Sequence, residues 1–166
     1  MFDDICGDLD IRIGWDGTWF YHGTPIGRKA LVKLFSTVLQ RDANGEYWLV
    51  TPVEKGRIEV EDAPFVAVEL FVEGAGPEQV LKLRTNVDDI VAVDADHPLR
   101  VTHDSESGEP RPYVLVRDGL EARLNRPVFY ELVELGEERE MEGDTRLAVR
   151  SAGELFDLGS LEAGGA

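Results

Sequence analysis

Two imidazoles and three carboxylates are concentrated in one short stretch of the sequence. Asp94, Asp96 and His97 stand close together, and His103 and Asp104 follow them. These side chains are the ligand types of a metal centre and the proton carriers of general acid–base catalysis. Their spacing matches no known metal motif, and Asp residues on a turn after a strand also cap backbone N–H groups. Two interpretations are therefore open: a structural turn, or a hydrolase, metal-assisted or not, that uses His97 with Asp94 or Asp96.

A second set of candidates is basic and could hold an anion. Arg28 and Lys29 stand at the predicted start of a helix, and Lys55 and Arg57 on a predicted turn between strands. A helix N-terminus carries free N–H groups and partial positive charge, so cations there are unfavourable unless an anion lies nearby. That anion is either a ligand or a carboxylate of the protein itself.

Two further arginines, Arg123 and Arg126, add guanidinium groups that can bind a phosphate through paired hydrogen bonds. Arginine also pairs with glutamate on ordinary protein surfaces, so both interpretations hold here too. No nucleophile elbow, HExxH motif, paired-carboxylate motif or Walker loop is found, and we predict neither a catalytic residue nor a cofactor.

The charge balance limits the partners. The 166 residues include 17 Lys and Arg against 33 Asp and Glu, a formal net charge of −16. General affinity for DNA, RNA or an anionic membrane is not expected, because these partners favour basic surfaces.

The single cysteine, Cys6, excludes an intramolecular disulfide and a CxxC site, and is expected to be a free thiol. The sequence shows neither a signal peptide nor a membrane-spanning run, which predicts a cytoplasmic protein.

The elements that would position these groups begin with a hairpin. Residues 11–13 and 19–21 alternate in polarity around Asp16-Gly17, a turn dipeptide. Apolar residues at three-and-four spacing then predict an amphipathic helix over residues 28–40. Two antiparallel strands are expected over residues 47–50 and 57–60.

The rest of the chain alternates strands with turn residues and contains a second helix. We expect a helix from near Pro127, a hairpin turning at Asp118-Gly119, a mobile loop over residues 103–110 and a solvated helix end and loop over the acidic run 137–142. The tail over residues 162–166 is expected to fray. Strands are predicted over residues 65–72, 80–84, 90–93, 113–116, 120–124, 147–149 and 155–158.

The sequence also aligns with itself when it is shifted by 98 positions without a gap. This shift places Arg28 on Arg126 and the apolar face of the first helix on that of the second. We interpret it as a duplicated strand–helix–hairpin unit, although two unrelated amphipathic helices followed by strands would also align. The predicted fold is α+β, with two related small domains over residues 1–64 and 65–166, mostly antiparallel strands and one main helix each. A ligand would bind most naturally at the seam between them.

Several stretches resemble the bacterial domain-of-unknown-function family 1285 (DUF1285), from about Cys6 to Leu158. The most specific matches lie in residues 16–65, with fainter ones after Tyr113. The matching stretches are residues 16–21, 23–26, 47–55, 61–65, 84–86 and 96–99.

The resemblance implies a two-domain α+β fold made by duplication, with a C-terminal half similar to pleckstrin-homology-like folds. It further implies a nucleotide-like ligand at the domain interface and a part in signal transduction under oxidative stress, with no established catalytic activity. The candidate ligand-binding residues are Arg28, Thr51, Glu54, Lys55, Asp62, Asn86, His97 and Arg126, of which Arg28 and Arg126 come from the repeat.

Three hypotheses result. The first is a cytoplasmic sensor in which Arg28, Lys55 and Arg126 hold the phosphate of a ligand between the two domains. The second is the hydrolase that uses His97. The third is an adaptor that binds another protein through an edge or groove.

Overall fold

The computed structural model describes residues 7–141 and 143–160, so the predictions for Cys6 and for the tail over 162–166 lie outside the described residues. Strands dominate the described part, as the α+β prediction requires. The helices are α1 (Lys29–Thr37) and α2 (Arg126–Glu134). The strands are β1 (Gly7–Ile13), β2 (Trp19–Tyr21), β3 (Thr24–Pro25), β4 (Leu39–Arg41), β5 (Tyr47–Val50), β6 (Lys55–Val60), β7 (Phe65–Glu73), β8 (Val80–Thr85), β9 (Ile90–Ala92), β10 (Leu99–His103), β11 (Pro110–Arg117), β12 (Leu120–Leu124), β13 (Glu137–Met141), β14 (Asp144–Ser151) and β15 (Glu154–Ser160).

The first sheet has the order β3-β2-β1-β6-β5-β4. β1 and β2 form the predicted hairpin, in which Ile13 pairs with Trp19. β5 and β6 are antiparallel neighbours, as predicted. β1 runs parallel to β6, a long-range pairing that no local pattern indicates.

Helix α1 is shorter than predicted and buries little. The prediction continued it to residue 40, but it ends at Thr37 because Leu39 opens strand β4 and is itself buried. Ser36 is the buried residue of the helix, and Leu34, predicted to face the core, is 61% exposed. The apolar face of α1 therefore makes only partial contact with the sheet.

The second sheet has the order β10-β11-β12-β7-β8-β9 and carries α2. The Asn125 side chain caps this helix by accepting a hydrogen bond from the Val128 N–H at 3.0 Å. Unlike α1, α2 buries Val128, Phe129 and Leu132. The predicted hairpin between β11 and β12 is confirmed, with Asp118 and Gly119 both at positive φ.

Two predicted loops are wrong in part. The acidic run after α2 forms strand β13, which pairs with β14 in the third sheet, of order β13-β14-β15. Gly136 makes this possible, since a Cβ at this position would lie 2.9 Å from Leu147. The stretch 103–110 is a loop only over 104–109, because β10 ends at His103 and β11 begins at Pro110. In the described residues no helix is long and apolar enough to span a bilayer.

The third sheet is joined to the second by a buried serine. Ser151 is fully buried, its Oγ accepts a hydrogen bond from the Leu81 N–H at 2.8 Å, and it donates one to the Val93 carbonyl at 2.6 Å. We call this arrangement the Ser151 bridge. It satisfies two buried backbone groups, one in β8 and one in the residue directly after β9.

The hairpin between β14 and β15 offers a test of turn geometry. Ala152 has a φ of 52° and precedes Gly153 at 81°, a two-residue turn that favours Asn or Gly at the first position. We expect Ala152→Asn to raise the free energy of unfolding by about 0.5–1 kcal/mol, because Asn tolerates this conformation better than Ala. Urea denaturation measures the change. Ala43→Asn, at an exposed turn position where φ is not positive, is the control and should show no gain.

Candidate functional site

A cleft of about 280 Å³ lies where the hairpin turn after β1 meets the second sheet and α2. Trp15 reaches it from the N-terminal part of the chain. Arg111, Arg123, Arg126 and Tyr130 line it from the C-terminal part. We call these five residues and the space between them the arginine cleft. Three guanidinium groups on one cleft stand out in a chain with a net charge of −16.

The position of Trp15 is set from three sides. Its backbone N–H donates to the Glu61 carboxylate at 3.2 Å, and its carbonyl accepts from the Arg123 guanidinium at 2.5 Å. Asn86 holds the same turn by donating to the Gly17 carbonyl at 3.2 Å while its own oxygen accepts from the Val66 N–H at 3.0 Å. Gly17 has a φ of 88°, and a Cβ there would lie 2.7 Å from the Asn86 amide, so the turn requires glycine. Trp15 remains 41% exposed.

Arg123 is the most enclosed cation of the cleft. Its side chain is 12% exposed, and its guanidinium carbon lies 4.2 Å from the centroid of the Trp15 ring. The Nε atom is buried without a hydrogen-bond partner and lies 3.5 Å from the Asp62 carboxylate. Burial lowers the pKa of Arg123 and the charge of Asp62 opposes that shift, yet a guanidinium stays protonated. The cleft therefore contains a partly desolvated positive charge.

Asp62, predicted as a ligand-binding residue, lies behind Arg123. Its two carboxylate oxygens accept hydrogen bonds from the Tyr113 hydroxyl at 2.8 and 3.0 Å. Burial, with the hydrogen bond to Asp62 and its charge, raises the pKa of Tyr113 to about 12. The structure thus uses Asp62 to orient and balance Arg123.

Arg111 and Arg126 complete the basic lining. Arg111 is held by Asp104 at 2.5 Å, and its guanidinium carbon lies 5.0 Å from the Trp15 ring centroid. Arg126 is 68% exposed and pairs with Glu109, itself exposed, at 3.3 Å. An exposed ion pair of this kind is worth about 0–1 kcal/mol, so an anion entering the cleft can displace Glu109.

Other predicted ligand residues lie elsewhere. Arg28 is exposed at the start of α1, Lys55 places its Nζ 4.4 Å from the Trp48 ring centroid, and neither lines the arginine cleft. Thr51 closes its own turn by accepting hydrogen bonds from the backbone N–H groups of residues 53 and 54. Glu54 lines a different cavity. The structure does not bring Arg28 and Lys55 together with Arg126 in one cavity. Arg28 lies at the start of α1 and Lys55 begins β6 of the first sheet, whereas Arg126 begins α2, which packs on the second sheet.

The stretch around His97 forms a closed turn. Asp94 Oδ1 accepts hydrogen bonds from the backbone N–H groups of Asp96 and His97, each at 2.9 Å, and lies 2.9 Å from the His97 Nδ1. Burial alone would raise the pKa of Asp94, but the hydrogen bonds of His97 and Asp96 hold it below its usual value. No group of three or more His, Cys, Asp or Glu side chains in the described residues could hold a metal ion. This geometry favours the structural interpretation of the turn over the hydrolase.

Three residues of the cleft were missed by sequence reasoning: Trp15, Arg111 and Tyr130. A weak signal was present for the first two. Trp15 directly precedes a turn dipeptide, where an aromatic side chain is often exposed, and Arg111 lies between two prolines. Neither signal shows which distant residues meet them.

The fold and the cleft define a two-domain α+β protein whose arginine-lined cavity lies at the junction of its domains. Family comparison agrees with this description. The model of the N-terminal domain of DUF1285, a domain of unknown function, matches residues 3–63, and that of the C-terminal domain matches residues 64–158. The chain therefore belongs to the DUF1285 family, as its sequence motifs predict.

Two solved structures are similar to the chain. A DUF1285 family protein from Silicibacter pomeroyi DSS-3 is 48% identical, with a TM-score of 0.88 over 96% of this chain and 85% of that one. A DUF1285 family protein from Shewanella baltica OS155 is 31% identical, with a TM-score of 0.60 over 76% of this chain and 91% of that one. No curated protein sequence matches the chain significantly.

Proposed function

We propose that this protein is a non-enzymatic sensor that binds a small nucleotide-like anion in the arginine cleft. The observation that carries the proposal is that Arg111, Arg123 and Arg126 line one cleft at the domain junction, with the guanidinium groups of Arg111 and Arg123 against the ring of Trp15. Guanidinium groups bind phosphate oxygens through paired, charge-assisted hydrogen bonds. The exposed ring of Tyr130 offers a face on which a planar base can stack.

The size of the cleft favours a small ligand. Its volume of about 280 Å³ is just below the roughly 300–1,000 Å³ typical of ligand pockets. A mononucleotide with part of its surface in solvent matches this space better than a dinucleotide does. Because the cleft is lined from both domains, a bound ligand would stabilise their junction, and this supports a part in cytoplasmic signal transduction.

We further propose that the two domains arose by duplication. Each helix is followed by three antiparallel strands, β4-β5-β6 after α1 and β13-β14-β15 after α2. β4 begins at Leu39 and β13 at Glu137, the spacing of the sequence repeat. The likeness of the C-terminal half to pleckstrin-homology-like folds, and the link to oxidative stress, stay predictions from the family resemblance.

A calorimetric and thermal-shift screen of mononucleotides, with inorganic phosphate for comparison, tests the function. At a hundredfold excess over its dissociation constant, a ligand should stabilise the protein by about 2.7 kcal/mol. We expect Arg126→Gln to weaken binding about tenfold, since a hydrogen bond to a charged group contributes about 1.5–3 kcal/mol. Arg28→Gln removes the arginine at the start of the other helix, outside the cleft, and should leave affinity unchanged. Failure of every nucleotide to bind, or equal losses in both variants, would contradict the proposal.

The ion pair at the edge of the cleft gives a separate prediction. Glu109 competes with an anion for Arg126, so Glu109→Gln should tighten nucleotide binding about three- to fivefold, the size expected for an exposed ion pair. Calorimetry at low ionic strength measures this change in nucleotide affinity. Glu106→Gln removes an equal charge from the same loop, outside the cleft lining, and should give a smaller change. Weaker binding by the Glu109 variant would show that this carboxylate contacts the ligand directly.

A further inference from the structure

A second cavity, of about 350 Å³, lies between α1 and the first sheet. Its floor is formed by Leu9, Ile11 and Leu49 of the sheet, and Leu31 and Phe35 of the helix cover it. It shares no lining residue with the arginine cleft. The N-terminal domain thus has a mostly apolar cavity of its own.

This cavity exists because α1 does not settle fully on the sheet. Leu31 and Phe35 remain only half-buried. The nine-residue helix α2, in contrast, buries Val128, Phe129 and Leu132. Removing apolar surface from water is energetically favourable, so the gap beneath α1 is suited to an apolar ligand.

The mouth of the cavity carries negative charge. Glu54 lies there, and within residues 7–141 and 143–160 its carboxylate has neither an ion pair nor a hydrogen bond. Within the part of the chain that the structure describes, the neighbouring Lys55 forms no ion pair with Glu54, and its ammonium group lies 4.4 Å from the Trp48 ring centroid. Tyr21 adds a half-exposed aromatic ring to the same lining, and aromatic faces attract organic cations.

We propose that this cavity binds a small organic amine, with its alkyl or aryl body beneath α1 and its ammonium group between Glu54 and Tyr21. The volume is more than twice the roughly 150 Å³ of a cavity that holds benzene, so a body of roughly eight to twelve carbon atoms fits. The proposal is independent of the arginine cleft, whose ligand has the opposite charge.

The direct test is calorimetric titration of the 166-residue protein with three octyl compounds at neutral pH. Octylamine is cationic there, octanol is neutral and octanoate is anionic. We expect saturable one-to-one binding of octylamine, weaker binding of octanol, and binding of octanoate at least tenfold weaker than that of octylamine. Absence of saturable octylamine binding at millimolar concentrations, or equal affinity for octanoate, would overturn the proposal.

Three variants separate the amine site from general apolar binding. Glu54→Gln should weaken the binding of octylamine about fivefold, as the loss of an exposed ion pair would. It should leave the affinity for octanol unchanged. Glu134→Gln is the matched control, because it removes an exposed carboxylate at the end of α2. It should alter the affinity for neither octylamine nor octanol. Leu31→Trp should fill the cavity and abolish binding of all three compounds, with circular dichroism to verify folding. If that variant does not fold, the Glu54 variant decides, and unchanged octylamine affinity there refutes the role of the carboxylate.

Discussion

Replacing Arg123 with methionine should lower the free energy of unfolding by about 2–4 kcal/mol, because breaking a buried ion pair leaves an uncompensated charge. Methionine keeps much of the side-chain volume but leaves Asp62 without its cation and the Trp15 carbonyl without its donor. The same variant should lose more than tenfold in nucleotide affinity, since Arg123 lies 4.2 Å from the Trp15 ring centroid in the arginine cleft. Urea denaturation and calorimetry measure the two effects.

A double-mutant cycle separates the ion pair from the packing. Asp62→Asn in the Arg123→Met background should restore part of the lost stability, because the unpaired carboxylate is then removed. Arg139→Met is the matched control: its pair with Glu137 is exposed on both sides, and its loss should cost about 1 kcal/mol or less. Equal costs for the Arg139 and Arg123 variants would refute the special role of burial at Arg123.

Loss of the Ser151 bridge should have a comparable effect on stability and none on ligand binding. Ser151→Ala leaves the Leu81 N–H and the Val93 carbonyl without this partner in a buried place, where each unsatisfied group costs about 1–3 kcal/mol. We expect a loss of about 2–4 kcal/mol in the free energy of unfolding, measured by urea denaturation. Ser36→Ala is the control. Among the described residues the buried hydroxyl of Ser36 bonds only to the carbonyl of Lys33 in its own helix, and its loss should cost less than 1 kcal/mol. A Ser151 variant as stable as the Ser36 variant would show that water replaces the hydroxyl.

Local elements of this fold are largely predictable from its sequence. Alternating polarity around Asp16-Gly17 and around Asp118-Gly119 identified two hairpins, since such dipeptides favour tight turns. The end of α1 was not predictable in the same way. Val38 and Leu39 continue the helical spacing, but the pairing of β4 with β5 takes Leu39 into the sheet. The strand β13 was missed because the run of Glu residues from 137 has low strand propensity, and its pairing with β14 outweighs that preference.

The site was less predictable than the fold. Arg126 was correctly placed at a helix start, but the repeat that drew attention to it also pointed to Arg28, which lies outside the arginine cleft. The hydrogen bond between Arg123 and Trp15 joins residues 108 positions apart. No local sequence pattern predicts such a long-range contact, because it depends on how the first sheet packs relative to the second.

The hydrogen bond from Asn86 to the carbonyl of Gly17, in the turn that presents Trp15, has a consequence for protein engineering. The turn that presents Trp15 belongs to one family domain, while Asn86 and Arg123, which hold it in place, belong to the other. A chimera that exchanges one whole domain between relatives takes the turn from one parent and its supports from the other. We expect such a chimera to keep this domain junction only where residues 14–18 of one parent match the side chains that the other parent places at positions 86 and 123.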